Sequence, residues 1–316
     1  MTTPIDSPNP INPIKLILII IVTLIAFAAN SVLCRYALKT NDLGVSSIDP
    51  SSFTSIRIIS GAVLLAFIFW IKSLKAVTQS GYKKPKWRSA IFLFIYAAAF
   101  SFGYISQDTG VGALILFGAV QISMISIHFI MGQRLKLLEW VGMGLAFTGL
   151  VYLIFPDLSS PSLIGAILMS ASGLAWALYS VNGLSSTDPV NDTAINFIRA
   201  SIFAVILLAV SFSPLFLGLN FGVGLKIELS ITGILLAIAS GTLASGAGYT
   251  IWYKVLRHIS VTQASVLQLS VPIIAALGGL LFANEPLTLR FIIASIIILG
   301  GILLVLFAKQ KKATAK

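Results

Sequence analysis

The sequence predicts an all-α polytopic membrane protein, with ten transmembrane helices arranged as two inverted five-helix repeats. Three observations lead there. Hydrophobic residues make up 57% of the 316 and charged residues only 10%, against roughly 45–50% and about 25% in soluble domains. The apolar residues fall into ten runs with short connections. The two halves of the chain carry matching residues in matching order.

The mean hydropathy of +0.99 reflects apolar sequence throughout rather than one anchor on a soluble body. At about 20 residues per span, the chain has room for ten helices and little else. The runs lie near 15–37, 52–71, 88–106, 111–131, 138–155, 162–182, 194–213, 230–253, 262–283 and 289–308. The longest connection, from Lys72 to Lys86, holds Gly81 and Pro85, which break a helix. The expected division is an N-terminal tail, 1–13; a first five-helix unit, 14–156; a second, 161–308; and a basic tail, 309–316.

A net charge of +11 does not point to nucleic acid, because the basic residues sit between the apolar runs and at the C-terminus. With the N-terminus in the cytoplasm, fifteen of the 21 Lys and Arg residues fall on the inner side, including Lys72, Lys75, Lys83, Lys84, Lys86 and Arg88. Arg35, Lys39, Lys226 and Arg290 fall outside. The asymmetry predicts a multi-pass protein of the cell membrane with both termini cytoplasmic. Trp70, Trp87, Trp140 and Trp252 sit at the predicted cytoplasmic ends of their spans, as an interfacial belt would, whereas Trp176 lies inside the sixth span. Lys15, the apolar stretch after it and Ala26-Phe27-Ala28 have the shape of a cleaved signal peptide. Cleavage would remove most of the first span and break the repeat, so the segment is read as a span.

A slide of 152 positions puts Gln133 on Glu285, Leu135 on Leu287 and Gly149 on Gly301. Ser55-Ile56-Arg57 in the second span matches Phe197-Ile198-Arg199 in the seventh, and Gly103-Tyr104 in the third matches Gly248-Tyr249 in the eighth. Each half has five spans. Five is odd, so the second half enters the bilayer from the opposite side. Two such halves can rock about a central site and expose it to each side in turn, as inverted-repeat transporters do.

Several residues carry a family resemblance. Glu285-Pro286-Leu287-Thr288 precedes the last span, and Gln133-Arg134-Leu135 precedes the fifth, with Gln where Glu is usual. Leu174-Ala175-Trp176-Ala177-Leu178-Tyr179 lies in the sixth span; Ala264-Ser265 and Gln268-Leu269-Ser270-Val271-Pro272 lie in the ninth. In this order they resemble the drug/metabolite transporter superfamily, in the branch built from the EamA domain. The first span departs, with Phe27-Ala28-Ala29-Asn30 where a Trp-Gly pair is common. The resemblance implies export or exchange of a small metabolite, with amino acids and related compounds the commonest substrates. The partners expected are a small-molecule solute and the lipid bilayer, with no nucleic acid and no cofactor, in a monomer or homodimer.

A solute path needs polar groups where they are costly. None of the ten acidic residues falls in the middle of a predicted span, so the carboxylate usual in ion-coupled pumps is missing. Arg57 and Arg199, at equivalent positions near the ends of their spans, suit either snorkelling or helix packing, or contact with the solute or gating at the two mouths. Gln121 lies near the midplane and needs another helix or a solute as partner. Asn30 is similar. Gln268 and Ser270 precede Pro272, which would kink the ninth span and free carbonyls. Trp176, Tyr179, Tyr104 and Tyr249 suit either packing or the lining of a cavity for a flat or zwitterionic solute. Gly241, Ser245 and Gly248 permit close helix approach. No His-Glu-x-x-His or Gly-x-Ser-x-Gly occurs, and His128 and His258 are the only histidines, so metal or Ser–His catalysis is poorly supported.

Overall fold

The computed structural model describes residues 11–38, 46–75, 85–106, 109–130, 132, 136–154, 163–212, 229–274 and 289–310. Gln133-Arg134-Leu135, Glu285-Pro286-Leu287-Thr288 and the side chain of His128 lie outside the described residues.

The apolar runs become helices because a backbone in lipid must satisfy its polar groups internally. They are α1 (Pro13–Leu38), α2 (Pro50–Lys75), α3 (Trp87–Gly103), α4 (Thr109–Ile130), α5 (Leu137–Ile154), α6 (Leu163–Gly183), α7 (Pro189–Ser211), α8 (Ile231–Leu256), α9 (Val261–Gln268, continuing to Ile274) and α10 (Leu289–Gln310). Five of these, α1, α2, α6, α7 and α8, are long and apolar enough over the described residues to cross a membrane on their own. Local chemistry fixes several starts. Asp188 caps α7 by accepting from the Asn191 amide, with Pro189 at the first helical position. Ser260 and Gln263 form a reciprocal capping box on α9.

Most helices turn large aliphatic side chains outward, whereas α9 buries Val261, Val266 and Leu267. On α1, Ile14, Leu18, Ile21, Val22 and Ile25 are exposed while Leu24, Phe27, Ala28 and Asn30 are buried. This is the reverse of a soluble surface and is what lipid as solvent requires. Trp70, Trp87 and Trp140 are exposed, as an interfacial belt asks, but Trp252 is not. Its indole N–H donates to Ser180 Oγ at 3.0 Å and its ring meets Phe27, so tertiary packing rather than the interface decides its place.

The helices pair in a pattern that respects the duplication. Helix α2 packs on α7, α5 on α10, α3 on α6 and α1 on α8. Exchanging each helix with the one five places away leaves the first two pairs unchanged and swaps the last two. Residue contacts agree: Gly149 abuts Ile298, and Gly301 abuts Ala146, which are the same contact after a slide of 152. A Cβ on Gly142 would stand 2.7 Å from the Gly301 carbonyl oxygen, and one on Gly301 would stand 2.5 Å from that of Gly142. Small residues let these backbones touch where lipid supplies no hydrophobic drive for association.

Candidate functional site

Helix α8 is not regular. Its middle, Ser240–Ala247, winds as a π-helix between two α-helical pieces, and such wider turns recur at functional sites. The wide turn directs Ser240 and Ser245, five residues apart, toward two different neighbours. Ser240 Oγ donates to Asn30 Oδ1 of α1 at 2.5 Å. Ser245 Oγ accepts from Arg57 Nε of α2 at 2.9 Å. The close approach rests on Gly241, where a Cβ would stand 2.1 Å from the Arg57 carbonyl oxygen. Gly61 is equally tight against Phe197 and Gly241.

Arg57 is the centre of the cluster. It lies seven residues into α2, about 10 Å along the axis at 1.5 Å per residue, and is only 1% exposed. It does not snorkel. Nη2 donates to Tyr249 Oη at 2.5 Å and to Tyr96 Oη at 3.4 Å. The two phenols are 3.2 Å apart, and Asn30 Nδ2 reaches Tyr96 Oη at 3.5 Å. The guanidinium carbon lies 5.4 Å and 5.7 Å from the ring centres of Tyr96 and Phe100. Among the described residues Nη1 has no hydrogen-bond partner. The described charged and polar groups that bear on Arg57 are Tyr249, Tyr96, Ser245 and the buried Cys34 thiol, and none is a carboxylate. A buried charge without a counter-ion is costly, so this arginine is held at a price in stability.

An aromatic box adjoins it. Trp176 stands 4.8 Å from Tyr96, 4.7 Å from Tyr249, 5.2 Å from Phe27 and 5.6 Å from Tyr179, centre to centre. Its indole N–H donates to Gln268 Oε1, and Gln268 Nε2 donates to the Ala264 carbonyl at 3.0 Å. A cavity opens between Phe27, Tyr96, Phe100, Tyr104, Trp176 and Gln268, with Ser31, Leu116 and Phe117 completing the wall. Its volume is about 30 Å³, room for one or two waters, so the helices stand nearly closed around it.

The structure thus brings together Asn30, Arg57, Tyr249, Trp176, Gln268, Tyr104 and Tyr179, and separates others. Arg199 is half-buried against Trp87, 4.8 Å from its ring centre, and donates to the Pro85 carbonyl at 2.5 Å. Ser270 donates to its own Leu267 carbonyl at 2.6 Å. Gln121 is buried on α4 with Oε1 unpartnered, and it is not in the cavity wall. Tyr96, Ser240 and Ser245 complete the cluster; the sequence gives them no site role. Tyr96 sits in a plain apolar run, Ile95-Tyr96-Ala97, and its partners lie 39 and 153 residues away.

A second polar group lies between α6 and α7. Asn196 is fully buried, and among the described residues neither end of its amide closes a hydrogen bond of ordinary geometry. The Tyr179 hydroxyl is close to Asn196 and Thr193 but closes no hydrogen bond of ordinary geometry. Outside the spans, burial and the nearby Arg257 and Lys254 hold the His258 imidazole below its usual range, so it adds no charge to that basic turn at neutral pH. Among the described residues, no group of His, Cys, Asp and Glu could hold a metal ion.

Lipid-facing helices, paired halves and a buried cation define a polytopic membrane protein with a buried focus of polarity. The comparisons say which kind. The family model described as the EamA-like transporter family matches residues 163–307. An uncharacterized protein of Pseudomonas aeruginosa is 41% identical over 95% of this chain and 97% of its own. An uncharacterized transporter of Bacillus subtilis is 21% identical over 85% of this chain and 91% of its own. A probable amino-acid metabolite efflux pump of Salmonella typhimurium is 23% identical over 71% and 75%. A solved structure titled only as the crystal structure of a protein superposes with a TM-score of 0.72, covering 94% of this chain and 99% of that one at 16% identity, which shows the fold alone. The chain belongs to the EamA-like transporter family of the drug/metabolite transporter superfamily, and is a membrane transporter of that type.

Proposed function

We propose that the protein is a secondary transporter that carries a small organic metabolite by alternating access, in export or exchange. The observation that carries this reading is where the buried cluster sits. Arg57, Tyr96 and Asn30 come from the first half; Ser240, Ser245, Tyr249, Trp176 and Gln268 come from the second. A rocking motion of one half against the other would open this seam to each side in turn. Amino acids and related compounds are the class to test first, a choice supported by the name of the Salmonella relative. The excess of Lys and Arg in the connections on the N-terminal side supports the orientation with both termini on the cytoplasmic side of the cell membrane.

The test is counterflow in proteoliposomes. Vesicles are loaded with one unlabelled metabolite and given a trace of the labelled form outside. The proposal predicts transient uptake that depends on the internal solute. A broad panel without flux, joined to a hydrolytic activity, would instead favour an intramembrane enzyme; no flux and no chemistry would favour a scaffold or receptor.

A further inference from the structure

We infer that Arg57 is the docking point for a carboxylate on the transported solute, so that the site selects small monocarboxylates with a flat or apolar body. The inference rests on the transporter reading for its purpose, but it concerns binding and can fail separately.

Three observations carry it. The first is the uncompensated charge. Arg57 is 1% exposed, and among the described residues no carboxylate lies beside it and Nη1 is unpartnered. A guanidinium in that position gains most from an anion that arrives as ligand, since the ligand brings the missing counter-charge. The second is the company it keeps. Tyr96 and Tyr249 place two phenol hydroxyls within hydrogen-bonding distance of the same guanidinium. One carboxylate oxygen can accept from Nη1 while the other accepts from a phenol, which replaces the phenol–phenol contact of 3.2 Å. One positive charge and neutral donors suit a monoanion. A phosphate dianion would keep an uncompensated charge in the core. The third is the adjoining space. Tyr96 faces both Arg57 and the cavity, whose other walls are Phe27, Phe100, Trp176 and Gln268. Aromatic walls take an apolar or planar body, and Gln268 adds one polar side chain to the wall. The cavity is too small for such a body as it stands, so the solute enters only when the halves part.

A structural role would explain the bonds from Nε and Nη2 to α3 and α8. It leaves the buried charge and the bare Nη1 without a purpose.

The experiment is a thermal-stability series on the purified full-length protein, using matched pairs that differ only at the acid: leucine and leucinamide, phenylalanine and its amide, phenylacetate and phenylacetamide. Sodium chloride and sodium phosphate serve as simple-anion controls. The carboxylate of at least one pair should raise the melting temperature by mass action, and its amide should bind at least ~10-fold more weakly, the equivalent of one lost charge-assisted hydrogen bond. Arg57→Gln should abolish the difference. Should that variant fail to fold, Arg57→Lys and Tyr249→Phe keep the test open: both should reduce the preference for the acid over its amide. Equal shifts from acid and amide, a shift reproduced by chloride or phosphate alone, or no shift from any carboxylate would each overturn the inference. Flux of solutes lacking a carboxylate would also overturn it while leaving the transporter reading intact. Acid-specific binding without any flux would do the opposite.

Discussion

Arg57 and Arg199 occupy equivalent places in the two halves, and the protein treats them differently. Arg57 is sealed among phenols and a serine with one nitrogen bare. Arg199 lies over an exposed tryptophan and is tied to a loop carbonyl. The tyrosines of the two Gly-Tyr pairs both reach the site, but in different parts of it, Tyr249 in the cluster and Tyr104 on the cavity wall. Contacts between helix backbones, by contrast, repeat closely: Gly149 against Ile298 returns as Gly301 against Ala146. Duplication therefore preserves the joints and leaves the buried charge to one copy of the arginine pair. Joints must be alike for the halves to rock symmetrically. A single solute needs only one charge.

The comparison can be broken most sharply at Arg57. Arg57→Gln should lower transport at least ~10-fold, the loss expected from one charge-assisted hydrogen bond of about 1.5–3 kcal/mol, with membrane insertion retained. Next in size is Gly241→Leu, where even a Cβ would meet the Arg57 carbonyl and Ser60 Oγ. Overpacking of this kind costs about 1–3 kcal/mol or more, and the melting temperature should fall together with transport. Tyr249→Phe keeps the ring in the aromatic box and removes the hydroxyl from Nη2. It should raise KM severalfold with stability little changed, a loss of about 1 kcal/mol. Arg199→Gln should cost less than about 1 kcal/mol in stability, the scale of a partly exposed cation–π contact, and leave KM unmoved.

Much of the fold was legible because lipid imposes a coarse rule. Long apolar runs must be helices, and an odd number per repeat must invert the second copy. The slide of 152 located residues that face each other across α5 and α10 in space. The site was legible only in part. A polar or aromatic side chain deep in a span stands out, so Asn30, Trp176, Tyr249 and Gln268 could be picked from the chain. Tyr96 could not, since nothing near it in sequence distinguishes it from a packing residue. Ser240 and Ser245 escape a reading at 3.6 residues per turn, because only the π-helical turn of α8 aims both inward. Arg57 is visible in the sequence, but its depth is not. Its distance from the end of its own helix leaves snorkelling open beside packing, solute contact and gating, whereas its environment is set by α3 and α8, which close over it. Trp252 errs in the same direction: its place near a helix end suggested the interface, and Ser180 and Phe27 hold it inside.

The most direct test sets Arg57→Gln beside Arg199→Gln in proteoliposomes with equal amounts of inserted protein, and measures counterflow of one carboxylate substrate. The duplicated scaffold with a single built site predicts that Arg57→Gln loses at least ~10-fold in rate while Arg199→Gln stays within about threefold of the parent, the scale of a cation–π contact near 0.5–1 kcal/mol. Equal losses in the two variants, or a larger loss at Arg199, would contradict it.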